Sequence, residues 1–329
     1  MREKRHLKRG MNSIFLVLLW MGCWLAAPCA SSAQGAEWTL KPTPLEQGFL
    51  ESVFFSDAGT GWVVGYGDQG GVILKTTNAG DDWTQQLSAD VGYSSGIAFA
   101  DANTGYVAGK RVYKTTNGGD DWAEQSVYDV SEQLFRDVFC LSATEVVAVG
   151  KQRDGNRLLI YRTTDGDTWS QATYPTMSGR LNAVTFADGD HGWAVGKKEG
   201  SAIPLILHTA DGGATWTEQT HPAADGELMD VFFVNALYGW AVGENSVSQA
   251  DQVLFLKTAD GGANWSMGNP PTGRRGASAH MLSGGAGFIG VMGGAPNYPA
   301  TLYYTEDGGA AWTEVTEPMD GGWFEEVQM

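Results

Sequence analysis

The chain has 329 residues, 45 of which are glycine, and its formal charge at pH 7 is −17. Because phosphate backbones are bound by net basic surfaces, this balance excludes nucleic acid from the expected partners. Its three cysteines are too few for a disulfide framework, so the fold must be held by core packing.

The first 33 residues have the composition of a secretory signal peptide. Basic residues lie between Arg2 and Arg9, an apolar run follows from about Met11 to Ala27, and Ser31-Ser32-Ala33 offers a cleavage point. The run is short for a membrane span, which takes about 20 apolar residues. We expect cleavage and export to a periplasmic, lumenal or extracellular compartment. An uncleaved segment that keeps the protein at the membrane is the alternative.

Cleavage after Ala33 would leave 16 basic and 37 acidic residues, so the mature protein would be more acidic than the whole chain. Cys140 would be its single cysteine. This residue lies in the apolar run Val138-Phe139-Cys140-Leu141, which predicts a buried and unreactive thiol. A monomer without an internal disulfide is expected.

Residues 34–329 are predicted to form one repeat domain. A hairpin cassette recurs six times, as TTNAGDDW, TTNGGDDW, TTDGDTW, TADGGATW, TADGGANW and TEDGGAAW. The closing tryptophans lie 39, 47, 47, 49 and 47 residues apart, at Trp83, Trp122, Trp169, Trp216, Trp265 and Trp312. This period, with short strands and glycine-rich turns, predicts an all-β propeller of four-stranded antiparallel blades. The repeats span approximately residues 48–90, 91–130, 131–176, 177–224, 225–272 and 273–318.

The fourth repeat shows the four strands of a blade in order. Leu181–Asp188 alternates apolar and polar residues and is predicted to be the innermost strand, A. Gly192–Gly196 is strand B and Leu205–Thr209 is strand C. After the cassette turn, Trp216-Thr217-Glu218 begins the outermost strand, D. Each cassette is therefore the turn between strands C and D.

The two ends of the domain carry fragments of a further blade. Trp38-Thr39-Leu40, within residues 37–44, resembles a D strand that precedes the first A strand. Gly322–Val327, within residues 321–329, resembles an A strand, but no B or C strand follows it. We favour a truncated seven-bladed ring. A six-bladed ring with surplus ends is the alternative.

The cassettes match the Asp-box motif, and their conserved residue types have structural roles. Asp or Asn can accept hydrogen bonds from the amides of the turn, and glycine supplies a positive φ. These positions are Asn78, Asn117, Asp165, Asp211, Asp260 and Asp307, and Gly80, Gly119, Gly213, Gly262 and Gly309. The third cassette is one residue short, so its turn should be distorted. A calcium loop needs several convergent oxygens, whereas each cassette fixes one acid, so neither a metal nor a cofactor is expected.

The pattern FxD-x3-G[WY]-x-x-G, an apolar strand and then [KR]-T-[TA]-[DN]-x-G-x-x-W resembles the photosystem II stability/assembly factor family. The matching residues of the first repeat are Phe55, Asp57, Gly61, Trp62, Gly65, Lys75 and Trp83. Those of the fourth are Phe186, Asp188, Gly192, Trp193, Gly196 and Trp216, with His208 at the cationic position. The resemblance covers nearly all of residues 37–329. It implies a non-catalytic, extracytoplasmic, seven-bladed scaffold that binds a soluble segment of a membrane-complex subunit.

Basic residues are concentrated in the irregular B–C and D–A loops, which lie on the propeller face opposite the cassettes. The candidate binding residues are Arg111, Arg136, Lys151, Arg153, Arg157, Arg180, Lys197, Lys198, Arg274 and Arg275. Such a polarised face would steer an acidic protein segment towards it. The alternative is that these turns are simply solvated and accept any charge.

The sequence leaves two other function classes as alternatives. A sialidase-like glycosidase would need an arginine triad, for which Arg136, Arg180 and Arg274 are the candidates, but a tyrosine–glutamate pair and a second catalytic carboxylate are not recognisable. A carbohydrate- or cell-surface-binding module would use exposed aromatics such as Tyr93, Tyr128, Tyr174, Tyr298 and Trp323. The histidines are scattered without the spacing of a zinc site. The sequence therefore favours protein binding without catalysis.

Overall fold

The protein is described by a computed structural model that covers residues 41, 43–45, 48–67, 70–87, 94–127, 133–152, 157–201, 203–245, 252–273, 275–282, 285–292 and 300–315. The predicted signal peptide, the strand Trp38-Thr39-Leu40 and the segment 321–329 lie outside these residues. In the ranges covered, all regular structure is strand, and no helix suited to crossing a membrane is found.

Within the described residues, twenty-four strands form six four-stranded antiparallel blades in chain order, as predicted. The inner A strands are β1 (Gly48–Phe55), β5 (Ser94–Phe99), β9 (Gln133–Cys140), β13 (Gly179–Phe186), β17 (Glu227–Phe233) and β21 (Arg275–Met281). The B strands are β2 (Gly61–Gly67), β6 (Gly105–Gly109), β10 (Val146–Gln152), β14 (Gly192–Lys198), β18 (Gly239–Asn245) and β22 (Gly287–Met292).

The two outer strands of each blade are shorter towards the rim. The C strands are β3 (Gly70–Thr76), β7 (Val112–Thr115), β11 (Leu158–Thr163), β15 (Pro204–Thr209), β19 (Gln252–Thr258) and β23 (Ala300–Thr305). The D strands are β4 (Thr84–Leu87), β8 (Ala123–Gln125), β12 (Trp169–Gln171), β16 (Thr217–Glu218), β20 (Trp265–Met267) and β24 (Thr313–Glu314). A bridge between Glu244 and Arg275 additionally links blades five and six.

Every A strand carries a bulge at the same place. The register against strand B skips one residue, and the residues skipped are Glu51, Ser95, Arg136, Asn182, Met229 and Ala277. A bulge bends the strand and turns consecutive side chains to the same side. Each A strand can therefore present two neighbouring side chains to the centre of the ring.

The glycines at the two ends of strand B fit this inner geometry. A Cβ on Gly196 would lie 2.0 Å from the carbonyl oxygen of Arg180, because the bulged A strand passes directly beside it. A Cβ on Gly192 would lie 2.5 Å from the ring of Phe186. The recurrent G-W-x-V-G pattern therefore packs together with the phenylalanine before it. The phenylalanine ring fills the space beside the first glycine and the bulged A strand fills the space beside the second, so neither position has room for a side chain.

The cassettes form the structural turns that the sequence predicts. In the fourth, Oδ1 of Asp211 accepts the amide of Thr215 at 2.8 Å, and the amide of Gly213 donates to Oγ1 of Thr209 at 3.0 Å. Gly213 has a φ of 86°. In the short third cassette, Oδ1 of Asp165 instead accepts the amides of Asp167 and Thr168. This is the distortion that the missing residue predicts.

Neighbouring blades are joined by apolar layers and by one recurring hydrogen bond. Trp193 in strand B of blade four is fully buried and stacks on Phe233 of blade five, with ring centroids 3.4 Å apart. Its indole donates to the carbonyl of Gly261 in the cassette of blade five at 3.2 Å. Trp62 and Trp240 make the equivalent bond to the next blade. The core is therefore a series of layers between blades.

Blade six and blade one are not joined in this way. Inner strands of consecutive blades pack together from β1 to β21, but among the described residues β21 and β1 show no packing of comparable extent. Lys41 pairs with Asp81 in the first cassette and lies beside Gly80. Gln219, which follows the D strand of blade four, has the corresponding place beside Gly262. Lys41 thus has the place at the first cassette that Gln219 has at the fifth. The seven-bladed ring stays a prediction.

Candidate functional site: the central channel

The six A strands surround a channel with a polar half and an apolar half. The A strands run from the D–A loops to the A–B turns, so their first residues lie near the irregular face. Backbone bonds such as Gly212 N–H to Asp190 O, at 3.0 Å, hold the cassettes against the A–B turns on the other face. The polar half contains a cavity of about 120 Å³ lined by the bulged residues and those after them. It therefore lies towards the irregular face, where binding was predicted.

Around the polar half, residues that accept a hydrogen bond from the next blade alternate with residues that do not. The residues that follow the bulge are Ser52, Gly96, Asp137, Ala183, Asp230 and Ser278, so blades one, three and five supply a side-chain acceptor. Each of these acceptors takes a backbone N–H from the A strand of the following blade. The donors are Ile97 to Ser52, Val184 to Asp137 and Ala279 to Asp230. The inner strands are thus clasped together in pairs.

Asp137 is the most strongly perturbed acid of the channel. Its Oδ2 accepts the amide of Val184 and its Oδ1 accepts the amide of Val138, both at 2.8 Å. Although its side chain keeps some contact with the channel, the surrounding strands exclude bulk water. Burial therefore raises the pKa of Asp137, and the negative charge of Asp230 raises it too, while the two amide bonds lower it. The net result is a pKa of about 7.

Asp230 has the same environment two blades further on. Its Oδ2 accepts Oγ–H of Ser278 at 2.8 Å and the amide of Ala279 at 3.0 Å, while Oδ1 accepts the amide of Val231 at 2.7 Å. Burial again outweighs these bonds, and the pKa of Asp230 is raised above its usual range. Both acids were missed from the sequence. Their signal was an aspartate at the same position of two apolar A strands, DVFC and DVFF.

A cluster around Glu227 borders the polar half. Glu227 is 5% exposed and forms a two-pronged ion pair with Arg180, while Nζ of Lys197 lies 3.5 Å from its Oε2. Nδ2 of Asn182 donates to its Oε1 at 2.8 Å. Burial opposes ionisation of Glu227, but the bonds from Arg180 and Asn182 and the two positive charges prevail and lower its pKa. The carboxylate therefore neutralises two members of the predicted basic face.

The remaining predicted binding residues are distributed unevenly. Arg136 and Arg275 line the polar cavity, Lys151 is the penultimate residue of strand β10, and Arg157 is exposed beside Ser178. Arg111 pairs with Glu124 and Lys198 with Glu218 at the rim. Arg153 and Arg274 lie outside the described residues. The geometry thus places two of the predicted residues, Arg136 and Arg275, at the cavity itself, and offsets four others with acids.

The apolar half of the channel lies towards the cassette face. Phe54, Phe139 and Phe232 of alternate blades line it, with Ala98, Thr185 and His280 between them. The ring of His280 lies 4.4 Å from that of Phe232, and burial lowers its pKa to about 4, so it is neutral at pH 7. Cys140 also lines this half. It is half-buried rather than fully buried, its Sγ lies 3.6 Å from the carbonyl of Ala98, and burial raises the pKa of its thiol. An unreactive thiol is consistent with this environment.

Other candidates are not assembled into a site. Tyr174 is held by bonds with the carbonyl of Leu158 and the amide of Gln171, and the other four proposed aromatics lie outside the described residues. The rings of His191 and His208 lie 6.1 Å apart. In the part of the chain that the structure covers, no three histidine, cysteine or acidic side chains converge as metal ligands.

Comparison with solved structures identifies the same fold in two YCF48 structures. One, YCF48 from Cyanidioschyzon merolae, is 19% identical, with a TM-score of 0.65 over 88% of this chain and 91% of that one. Another, YCF48 bound to a D1 peptide, is 17% identical, with a TM-score of 0.61 over 83% of each chain. The resemblance stated from the sequence is therefore confirmed as a likeness of fold.

Glycosidases share the fold as well. An ancestral GH74 enzyme is 13% identical with a TM-score of 0.60, and the match covers 83% of this chain but 39% of the enzyme. The GH74 enzyme of Niastella koreensis is 15% identical with a TM-score of 0.54, over 84% of this chain and 60% of that one. No protein-family model and no curated protein sequence matches the chain.

Proposed function

We propose that this protein is an exported, non-catalytic propeller scaffold, similar in role to photosystem II assembly factors. It binds an acidic soluble segment of a membrane-complex subunit on its irregular face, at the mouth of the central channel. The YCF48 structures support this proposal, because one of them holds a D1 peptide. The observation that carries it is the polar cavity at the centre of that face, which is lined by Arg136 and Arg275.

Arg275 is the residue of this site with an unsatisfied hydrogen-bond donor on which the proposal most depends. Its Nε is buried, and among the described residues it makes no hydrogen bond. A buried guanidinium donor without an acceptor is costly unless a partner or water satisfies it. Because Nε is shielded, a carboxylate of a bound segment would pair with the outer nitrogens of the guanidinium, which can form two parallel bonds with a carboxylate.

A glycosidase role is the rival that the GH74 structures raise. Such an enzyme would use two opposed carboxylates, and Asp137 and Asp230 are the buried pair. However, both oxygens of each carboxylate accept backbone N–H groups, one from the next residue of the same strand and one from the inner strand of the following blade. A general acid needs its carboxyl turned to the substrate, so we assign this pair a structural role. A carbohydrate-binding module would present exposed aromatic rings to the sugar. Of the candidate aromatics, only Tyr174 lies among the described residues, and its hydroxyl is already hydrogen-bonded.

The proposal can be tested by fluorescence anisotropy with a labelled D1 peptide and the mature protein. Arg275→Glu should weaken binding at least tenfold, since it replaces an attractive charge at the cavity with a repulsive one. Lys257→Glu, on strand β19, makes the same change of charge elsewhere and should bind as the wild type does. Rising salt should weaken the wild-type complex.

Absence of binding, or equal binding by both variants, would reject the proposed surface. Hydrolysis of xyloglucan or of a sialoside by the wild-type protein would reject the non-catalytic role.

A further inference from the structure

Large hydrophobic side chains are exposed in two neighbouring blades on the cassette face. Leu237 and Tyr238, in the A–B turn of blade five, are 54% and 49% exposed, and Leu282, at the start of the A–B turn of blade six, is 40% exposed. The amide of Gly261 in the fifth cassette donates to the carbonyl of Leu237 at 2.9 Å, which holds that turn on the cassette face. Among the described residues, only Met267 at the rim is a further large hydrophobic side chain of such exposure.

The geometry of the turn does not require these hydrophobic residues. Oδ1 of Asn235 accepts the amides of Leu237 and Tyr238 at 2.9 and 3.0 Å, as the aspartate of blade two does in its own turn. In blades one to four the residues at the two positions are small, polar or charged: Gly59 and Thr60, Asn103 and Thr104, Thr144 and Glu145, and Asp190 and His191. The same turn therefore forms without them, which leaves their exposure unexplained by the fold.

The strands that lead into the two turns line the apolar half of the channel. Phe232 of β17 and His280 of β21 lie on its wall, with Phe54 and Phe139 from other blades, and none of these four side chains is fully buried. The cavity between them measures about 250 Å³. An apolar cavity of about 150 Å³ is enough to bind benzene, so this one has room for a leucine or phenylalanine side chain.

Ionised carboxylates occupy the same face in other blades. The A–B turns of blades one, two and four carry Asp57, Asp101 and Asp188, all exposed, and each accepts two amides of its own turn through Oδ1. These amide bonds hold the pKa of each carboxyl below its usual range, so all three are charged at pH 7. The cassette face thus combines hydrophobic turns in blades five and six with acidic turns in the others.

We propose that the cassette face is a second docking surface, for a protein segment that carries a leucine or phenylalanine flanked by lysine or arginine. The hydrophobic residue packs on Leu237 and Tyr238 and fills the apolar half of the channel, while the flanking cations face the three aspartates. Charge selects this occupant, because the acidic face repels an anionic lipid surface and a second copy of this acidic chain. The inference goes beyond the proposed function, since the face and the charge of the segment are both opposite.

The test uses short labelled peptides as probes, with binding to the mature protein measured by fluorescence anisotropy at low salt. GSKLFKSG carries both features, GSKSSKSG keeps the charges without the hydrophobic pair, and GSELFESG keeps the hydrophobic pair with the charges reversed. We expect GSKLFKSG to bind at least about tenfold more tightly than either of the others, because they lose the burial of a large apolar side chain or the attraction of the face.

Two matched pairs of variants locate the surface. Leu237→Ser should weaken binding of GSKLFKSG about fivefold or more, whereas Met267→Ser removes a side chain of similar exposure at the rim and should not. Asp101→Asn keeps Oδ1 for the turn amides but removes the charge, and should weaken binding about threefold. Glu199→Gln makes the same change of charge in an exposed turn on the irregular face and should leave binding unchanged. All four side chains are exposed, so the variants should fold.

The inference would be overturned if GSKLFKSG and GSKSSKSG bound equally, or if Met267→Ser weakened binding as much as Leu237→Ser. Binding to phosphatidylglycerol vesicles that Leu237→Ser abolishes would assign the face to a lipid surface instead. Self-association that Leu237→Ser abolishes, measured by analytical ultracentrifugation, would assign it to a second copy. Arg275→Glu, on the other face, should not weaken binding of GSKLFKSG, so this inference and the proposed function can fail separately.

Discussion

The carboxylate of Asp137 in blade three accepts the backbone N–H of Val184 in blade four at 2.8 Å. This bond crosses between two blades at the innermost strands. The bond from Ala279 to Asp230 repeats it between blades five and six, and the bond from Ile97 to Ser52 repeats it in a longer form between blades one and two. The A strands are thus clasped in three pairs by side chains.

Removal of the Asp137 clasp should destabilise the protein. Asp137→Ala leaves the amides of Val184 and Val138 without their acceptor, and each unsatisfied buried donor costs about 1–3 kcal/mol. Part of this is regained because a buried carboxylate is no longer desolvated, so we expect a net loss of about 1–3 kcal/mol in the free energy of unfolding, measured with urea. Ser52→Ala, which removes the 3.3 Å bond, should cost less than about 1 kcal/mol. Equal effects would show that the side chain of Asp137 contributes no more to stability than that of Ser52.

The glycine beside each bulge should be intolerant of any side chain. Gly196→Ala would place Cβ 2.0 Å from the carbonyl oxygen of Arg180, where backbone rather than a flexible side chain must move. Overpacking of this kind typically costs about 1–3 kcal/mol or more. Gly189→Ala is the matched control, since nothing lies within 4 Å of its Cβ position and its φ is ordinary. Thermal unfolding should show a much lower Tm for the first variant and a Tm near that of the wild type for the second.

Two groups of the channel should give stability opposite dependences on pH. The pKa of Asp137 is raised from 3.8 to about 7 in the fold, so its protonated form is favoured there, and its contribution is lost as the pH rises from about 4 to 7. The pKa of His280 is lowered from 6.5 to about 4, so its contribution is present above pH 6.5 and lost as the pH falls towards 4. In the wild type the two partly cancel.

Variants separate these contributions. Between about pH 4 and 7, the stability of Asp137→Asn should rise with pH more steeply than that of the wild type. The stability of His280→Gln should rise less steeply, or fall. Urea unfolding at several pH values measures both slopes. A steeper rise for His280→Gln would mean that His280 is charged in the fold, in conflict with its position against Phe232.

The repeat pattern was sufficient to predict the architecture from the sequence. Blades, strand order and cassette turns follow from local features: the tryptophan period, the glycines and the alternation of strand A. The lining of the channel was harder to predict. Asp137 and Asp230 point inwards because of a bulge, and that bulge is visible only as one unpaired residue in the pairing of strand A with strand B. The ion pairs were equally hard to predict from the sequence. Arg180 and Lys197 look like free cations in the sequence, but Glu227, 47 residues after the first and 30 after the second, lies against both.

Glu227 should therefore have opposing effects on stability and binding. Glu227→Gln removes the charge that offsets Arg180 and Lys197, whose side chains are 22% and 25% exposed. Since water still screens these cations in part, we expect a loss of about 1–2 kcal/mol in the free energy of unfolding, less than for a fully buried pair. Glu218→Gln breaks the rim pair with Lys198 and should change stability by less than about 0.5 kcal/mol.

The two cations released by Glu227→Gln lie beside the channel mouth, so an acidic segment should bind this variant more tightly than the wild type in the anisotropy assay. Weaker binding would place the segment away from Arg180, and a stability equal to that of the wild type would show that Glu227 contributes nothing net to the fold.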